Sequence, residues 1–210
     1  MKARIFTGML VLWATFSPIF AASPPPSLPV ESISWKARSM EKPAAGLHLG
    51  PLKVDFERTT LARVLAAVGK GAIQHQGDAA GSEYWLCYTI DGSQRLWIVA
   101  SAEMGSGERV TEVAAQQTKR VKSSPDCPAL PSKLQPVSLQ HGLWIGASDE
   151  VALQALGTPS NSKDAWRYFD YEAKVKGDCP PEGFDITNWL AYKLDNGKVV
   201  TVVAGQVTSC

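Results

Sequence analysis

The chain has 210 residues, with 21 basic and 20 acidic side chains and a formal net charge of +1. This balance lacks the basic excess that nucleic acid or an anionic membrane surface would require, so we expect neither as a partner. About 160 residues follow the N-terminal region described next, which is enough for one ordinary domain or two small ones.

Residues 1–21 have the pattern of a secretory signal peptide: two basic residues, an apolar run over residues 5–20, and small residues at the end. A transmembrane anchor is the alternative, but the run is short and contains Pro18. Residues 22–46 are rich in Pro, Ser and Ala and predict an extended leader without a core of its own. We therefore expect a periplasmic or secreted protein with no membrane insertion.

Four cysteines in an exported chain predict two disulfides rather than reactive thiols. Three pairings are possible, and we favour Cys87–Cys127 with Cys179–Cys210 because each bridge then stays within one of the segments below. The cysteines lack the close ligand spacing of a zinc site. We expect no metal and no cofactor.

Residues 47–127 predict a helix followed by three strands. Thr59 or Thr60 can cap the helix, which ends at Gly69. Alternating apolar residues then predict strands, and these cover residues 84–90, 95–99 and 109–115.

Residues 141–210, after a linker at residues 128–140, predict the same order of elements. Ser148 caps a helix that ends at Gly157. The turn Asp195-Asn196-Gly197 between apolar runs indicates a hairpin. The predicted strands cover residues 166–171, 189–194 and 198–204.

The shared order predicts a tandem repeat and an α+β fold of two helix-plus-three-stranded antiparallel sheet modules. In the alignment that we prefer, residues 95–99 correspond to residues 187–191. A second alignment lays residues 85–91 on residues 189–195 with more identities over a shorter span, but it leaves the third strand of the first copy without a counterpart. Two unrelated segments with similar hairpin composition are a further alternative.

The last segment combines Ile145-Gly146, a Ser-capped helix running to Pro159, Trp166-Arg167-Tyr168 and a final hairpin over residues 194–200. This combination resembles the fold shared by the secreted beta-lactamase inhibitor protein, which has two such modules in tandem, and by the small lipoproteins of the outer-membrane β-barrel assembly machine, which have one. The match covers the last third of the chain well and the middle third loosely. The resemblance implies architecture rather than activity, and the lipidation cysteine of those lipoproteins has no counterpart here.

Strand alternation predicts that Trp85, Trp97 and Trp189 share the sheet face that points away from the helices, together with Arg95 and Lys193. Rigid aromatic side chains with a few charges are typical of a protein-binding hot spot. The alternative is that this face is covered by the leader, the other module or a disulfide loop, which would make the tryptophans core residues.

No catalytic motif of a hydrolase or phosphate-binding protein occurs in the sequence. His75 with Asp78 and Glu83 is an acid–base candidate, but we favour the interpretation that His75 is an ordinary loop histidine beside polar residues. We therefore predict a non-enzymatic protein that binds and blocks an envelope-acting enzyme or toxin, as an enzyme inhibitor or immunity protein does. The alternative is a structural or assembly factor of an envelope complex. The sequence specifies neither the target nor the oligomeric state.

Overall fold

The computed structural model describes residues 24–26, 28, 39–78, 81–101, 108–139, 142–179 and 183–210. In these ranges the chain forms two antiparallel sheets and two α-helices, α1 (Leu61–Val68) and α2 (Asp149–Leu156). The predicted signal peptide, residues 1–21, lies outside the described residues.

The larger sheet has eight strands, and its two outer strands are short. The spatial order of the eight strands is β3 (Gln74–Gln76), β4 (Glu83–Ile90), β5 (Gln94–Ser101), β6 (Glu112–Gln117), β11 (Lys198–Ser209), β10 (Phe184–Asp195), β9 (Trp166–Val175) and β8 (Asn161–Lys163). The smaller sheet has three strands, in the order β2 (Leu52–Asp55), β1 (Gly46–Leu49) and β7 (Val137–Leu139).

Both helices begin and end where the sequence predicts. The side chain of Thr60 accepts a hydrogen bond from the backbone N–H three residues on, and α1 ends at Gly69 in a left-handed conformation. Ser148 caps α2 in the same way, and α2 ends at Gly157. Two acidic residues occupy the first turn of α2, where their negative charges interact favourably with the positive end of the helix dipole.

The predicted fold of two separate three-stranded modules is wrong. β6 and β11 pair in antiparallel fashion from Gln116–Thr201 to Glu112–Gly205, so the strands of both segments form one continuous sheet. β3 and β8 add a fourth strand on each side, and the small sheet was not expected. An edge strand carries unpaired backbone N–H and C=O groups, which another edge can satisfy. Alternation within a strand does not specify which distant edge will do so.

The end of the predicted leader packs into the domain. Met40 and Ala44 are buried in the main core, with 2% and 0% of their surface exposed. The backbone N–H of Met40 donates to the carbonyl of Asp170, and the Asn188 amide bonds both the N–H and the carbonyl of Ala44. Pairing of the backbone polar groups allows a segment with few apolar side chains to be buried.

The helices and the small sheet cover one face of the eight-stranded sheet. Their buried side chains, such as Leu61, Leu156 and Leu47, form one cluster with Leu86 and Tyr192 of the large sheet. The hydroxyl of Tyr192 also donates to the Asp149 carboxylate at the start of α2. The opposite face therefore carries no helix among the described residues; we call it the helix-free face.

Two disulfides stabilise the structure, and they have the predicted pairing. Cys87 is bonded to Cys127, and Cys179 is bonded to Cys210. Disulfides of this kind are typical of exported proteins. In the described ranges, neither helix has the length and apolar composition needed to cross a membrane.

Candidate protein-binding face

Pairing across the strands arranges the side chains of the helix-free face in rows, because directly paired residues point to the same side of a sheet. The central row, which we call the Trp189 row, runs across six strands. It consists of Trp85, Val99, Glu112, Gly205, Trp189 and Asp170.

A second row, which we call the Lys193 row, crosses seven strands in their spatial order β4, β5, β6, β11, β10, β9 and β8. It carries three cationic side chains, those of Arg95, Lys193 and Lys163, with Trp166 between the two lysines. The rest of the row is uncharged, and its members are Thr89, Gln116 and Thr201.

Acidic side chains lie on the other side of the Trp189 row. Glu83 lies opposite Ser101, and Glu172 lies opposite Thr187. One side of the Trp189 row therefore carries the cations of the Lys193 row, whereas the other side carries Glu83, Glu172 and the Lys174–Asp185 ion pair. Separation of charge in this way gives a bound partner a preferred orientation.

Two of the predicted binding residues are buried. Trp85 and Trp97 expose 3% and 2% of their surface. They form a small second core on the helix-free face, and its other members are Cys87, Val99, Ala114, Cys127 and Val203 with partly buried Leu28 packed against them. The Cys87–Cys127 disulfide holds Cys127 over the sheet, where it covers part of this cluster.

The other three predicted binding residues reach the surface. Lys193 is exposed, and Arg95 and Trp189 are half-buried. The guanidinium of Arg95 lies 5.6 Å from the ring centre of Trp97, so it continues the buried cluster towards solvent. Whether these residues contact a partner stays a prediction.

Gly205 determines the position of the Trp189 ring. A Cβ atom at Gly205 would lie 2.3 Å from the Trp189 indole and 2.9 Å from the carbonyl oxygen of Thr111. No other residue type fits there without displacing the indole or the backbone. The absence of a side chain lets the ring lie across β11 towards Glu112.

Glu112 has an unusual environment for a carboxylate. Burial, with a smaller contribution from the Glu83 carboxylate, raises the pKa of Glu112 to about 7. The Trp189 side chain favours the charged form and acts in the opposite direction, although its indole N–H makes no regular hydrogen bond within the described structure. The charge of this face therefore changes near neutral pH.

Unpaired polar atoms concentrate on the helix-free face. Among the described residues, the buried side-chain nitrogens without a hydrogen-bond partner are Trp85 Nε1, Arg95 Nε and Trp189 Nε1. All three are N–H donors on this face, and Asp170 Oδ1, at the end of the Trp189 row, is an unpaired acceptor. A buried donor without an acceptor is unfavourable, and such groups are rare in native structures.

The sequence did not identify two residues of this face. The strand 166–171 is aromatic on both sides, so alternation alone did not assign Trp166, which the pairing with Lys193 places on the helix-free face. Glu112 looked like an ordinary polar position of an alternating strand. Only the pairing of β6 with β11 brings the Trp189 indole to it.

His75 and Glu83 of the acid–base candidate lie on opposite faces of the sheet. His75 is exposed and stacks on Tyr84, with ring centres 4.5 Å apart. Glu83 follows the opposite face of β4 and accepts a hydrogen bond from Gln76. Within the described ranges, no cluster of three His, Cys, Asp or Glu residues has a geometry that would hold a metal ion.

The chain matches no protein family, no curated protein and no solved structure at a significant level.

Proposed function

We propose that the protein is an exported, non-enzymatic binding protein that blocks another protein of the cell envelope, as an inhibitor or immunity protein does. The observation that carries this proposal is the unpaired set of N–H donors on an aromatic sheet face that also carries the cations of the Lys193 row. A partner on the open part of the face that supplies carbonyl or carboxylate oxygens would satisfy the donors of half-buried Arg95 and Trp189 in a water-poor interface.

The open part of the face provides the contact. Trp166 and Trp189 supply rigid aromatic surface, and Lys193 orients a partner with acidic groups. Inhibition would follow from occlusion of the partner's functional surface. The two disulfides and the predicted signal peptide favour the periplasm or the extracellular space as the compartment.

Affinity capture from the envelope fraction tests this proposal. The mature protein is used as bait beside Trp189→Ala, and Val151→Ala serves as the matched control because Val151 is 55% exposed on α2, across the sheet from this face. We expect one stoichiometric partner, whose activity falls on binding. Trp189→Ala should weaken the complex by about 2 kcal/mol, and the control should not.

A stable complex in which the partner keeps its activity would contradict inhibition and favour the structural or assembly role. Equal binding by Trp189→Ala and the control would show that the helix-free face is not the contact. Each result is interpreted after circular dichroism has shown that the variants are folded.

A further inference from the structure

The N-terminal segment of the described chain contacts the helix-free face. Leu28 packs against the buried cluster that contains Trp85 and Trp97. Pro26 lines a cleft of about 380 Å³ together with Trp166 and Lys193. The segment thus lies on both the covered and the open part of this face.

The chemistry of the segment suits this position. Pro24, Pro25 and Pro26 follow one another, and proline fixes φ and lacks a backbone N–H. Such a segment favours the extended polyproline conformation, so little conformational entropy is lost when it settles on aromatic side chains. The Trp166 side of the cleft is a surface of that type.

The contact of this segment leaves hydrogen-bond donors of the face unpaired. Trp85 Nε1 has no acceptor among the described residues, and Trp189 Nε1 makes no regular hydrogen bond there, although it interacts with the Glu112 carboxylate. The segment covers apolar surface without pairing these donors. A partner that pairs them gains hydrogen bonds that the segment does not provide.

The segment is held close to the face by the chain itself. The N–H groups of Ser39 and Met40 donate to the carbonyl of Asp170 on β9, and Met40 is buried. Ten residues lie between Leu28 and Ser39. The segment and the face therefore belong to one chain, and a contact within one chain does not depend on the protein concentration.

We propose that the segment with Pro24, Pro25, Pro26 and Leu28 is an internal ligand of the helix-free face, which shields this face until a partner with better hydrogen-bonding groups displaces the segment. The shielding of the binding face rests on the proposed function, whereas the contact itself does not. While the segment occupies the face, the partner cannot bind there. The apparent association constant of the partner is therefore the intrinsic constant multiplied by the fraction of molecules in which the face is free.

Indole N–H signals in the NMR spectrum of the full mature protein, labelled with ¹⁵N, test the contact. The variant Pro26→Asp/Leu28→Asp places charge on the two contacting positions, and Pro24→Asp places it on an exposed neighbour. Trp144 is an internal reference, because its indole donates to Gln94 Oε1 at 2.9 Å and packs against the main core.

We expect the signals of Trp85, Trp97 and Trp166 to shift in the double variant and to stay in place in Pro24→Asp. The Trp144 signal should be unchanged in both. A synthetic peptide of residues 22–30 should return the shifted signals towards their wild-type positions. Unshifted signals in the double variant would overturn the proposal, and signals that depend on protein concentration would assign the contact to a second copy instead.

The captured envelope partner gives the second measurement. The double variant should bind it about tenfold more tightly than the wild type, and Pro24→Asp should bind it equally. Unchanged or weaker binding would show that the segment is not a competitor. If no partner is captured, the proposed function fails, and the indole signals still decide whether the segment occupies the face.

Discussion

Trp97 and Trp189 occupy matching places in the two halves of the large sheet. Each lies on the second strand from the β6–β11 junction, and each points to the helix-free face. Trp97 lies between Cys87 and Ala114 and is 2% exposed. Trp189 lies between Asp170 and Gly205 and is half-buried.

The difference arises from what lies above each ring. The half with Trp97 carries the Cys87–Cys127 disulfide and contacts Leu28, so it forms a second core. The half with Trp189 has no comparable cover among the described residues. Position in a strand selects the face of the sheet, whereas exposure depends on the segments that return over that face.

The largest contrast should come from truncation of the two rings. Trp97→Ala should reduce the free energy of unfolding by about 4 kcal/mol, because it leaves a cavity in a packed cluster. Trp189→Ala should reduce it by about 1 to 2 kcal/mol, since part of the ring is already in water. Urea denaturation measures both values. Equal losses would mean that the two halves are covered to the same extent.

Removal of each disulfide gives the next largest effect. The two bridges close loops of similar length, with sequence separations of 40 and 31 residues, so chain entropy alone predicts about 3 to 4 kcal/mol for each. Cys87 and Cys127 are both buried, whereas Cys210 is exposed. We therefore expect Cys87→Ala/Cys127→Ala to be the more destabilising pair in thermal denaturation. The opposite order would show that the second core contributes little.

Gly205→Ala should destabilise the protein by about 3 kcal/mol, because the new methyl group meets the Trp189 indole and a backbone oxygen. Gly81→Ala is the matched control, since a Cβ atom there has no neighbour within 4 Å. Comparison of the two unfolding midpoints isolates the steric effect. A Gly205→Ala protein as stable as the control would show that the ring moves freely.

Glu112, beside Trp189 in the Trp189 row, should make the free energy of unfolding depend on pH. Its folded-state pKa is raised to about 7, so the folded protein holds this proton more tightly than the unfolded chain does. The stabilisation is complete below the unfolded-state pKa near 4.5 and is lost as the pH rises to about 7. We expect a decrease of about 3 kcal/mol over this range.

Glu112→Gln removes the titrating group and keeps the shape of the side chain. The decrease between pH 4.5 and 7 should become smaller in this variant, and the protein should gain stability at neutral pH. Denaturation at several pH values gives both curves. Parallel curves for wild type and variant would exclude Glu112 as the source of the pH dependence.

Local features of the sequence predicted individual helices, strands and a turn, although not the way in which the strands assemble. Thr60 and Ser148 are capping residues followed by apolar periodicity, and Asn196-Gly197 suits the tight turn between β10 and β11. Period-two alternation placed Trp85, Trp97 and Trp189 on one side of their strands. These signals depend on residues close in sequence, so they can be interpreted without the tertiary structure.

Patterns of neighbouring residues were enough to predict the two helices, the six long strands, the pairing of the cysteines and the face on which the tryptophans lie. The pairing of β6 with β11, and the burial of Trp97 beside half-buried Trp189, were visible only in the folded chain. The pairing of two edges and the cover of a sheet face are contacts between residues far apart in the chain. Their free energy depends on which surfaces meet, and no local pattern of residues encodes that choice.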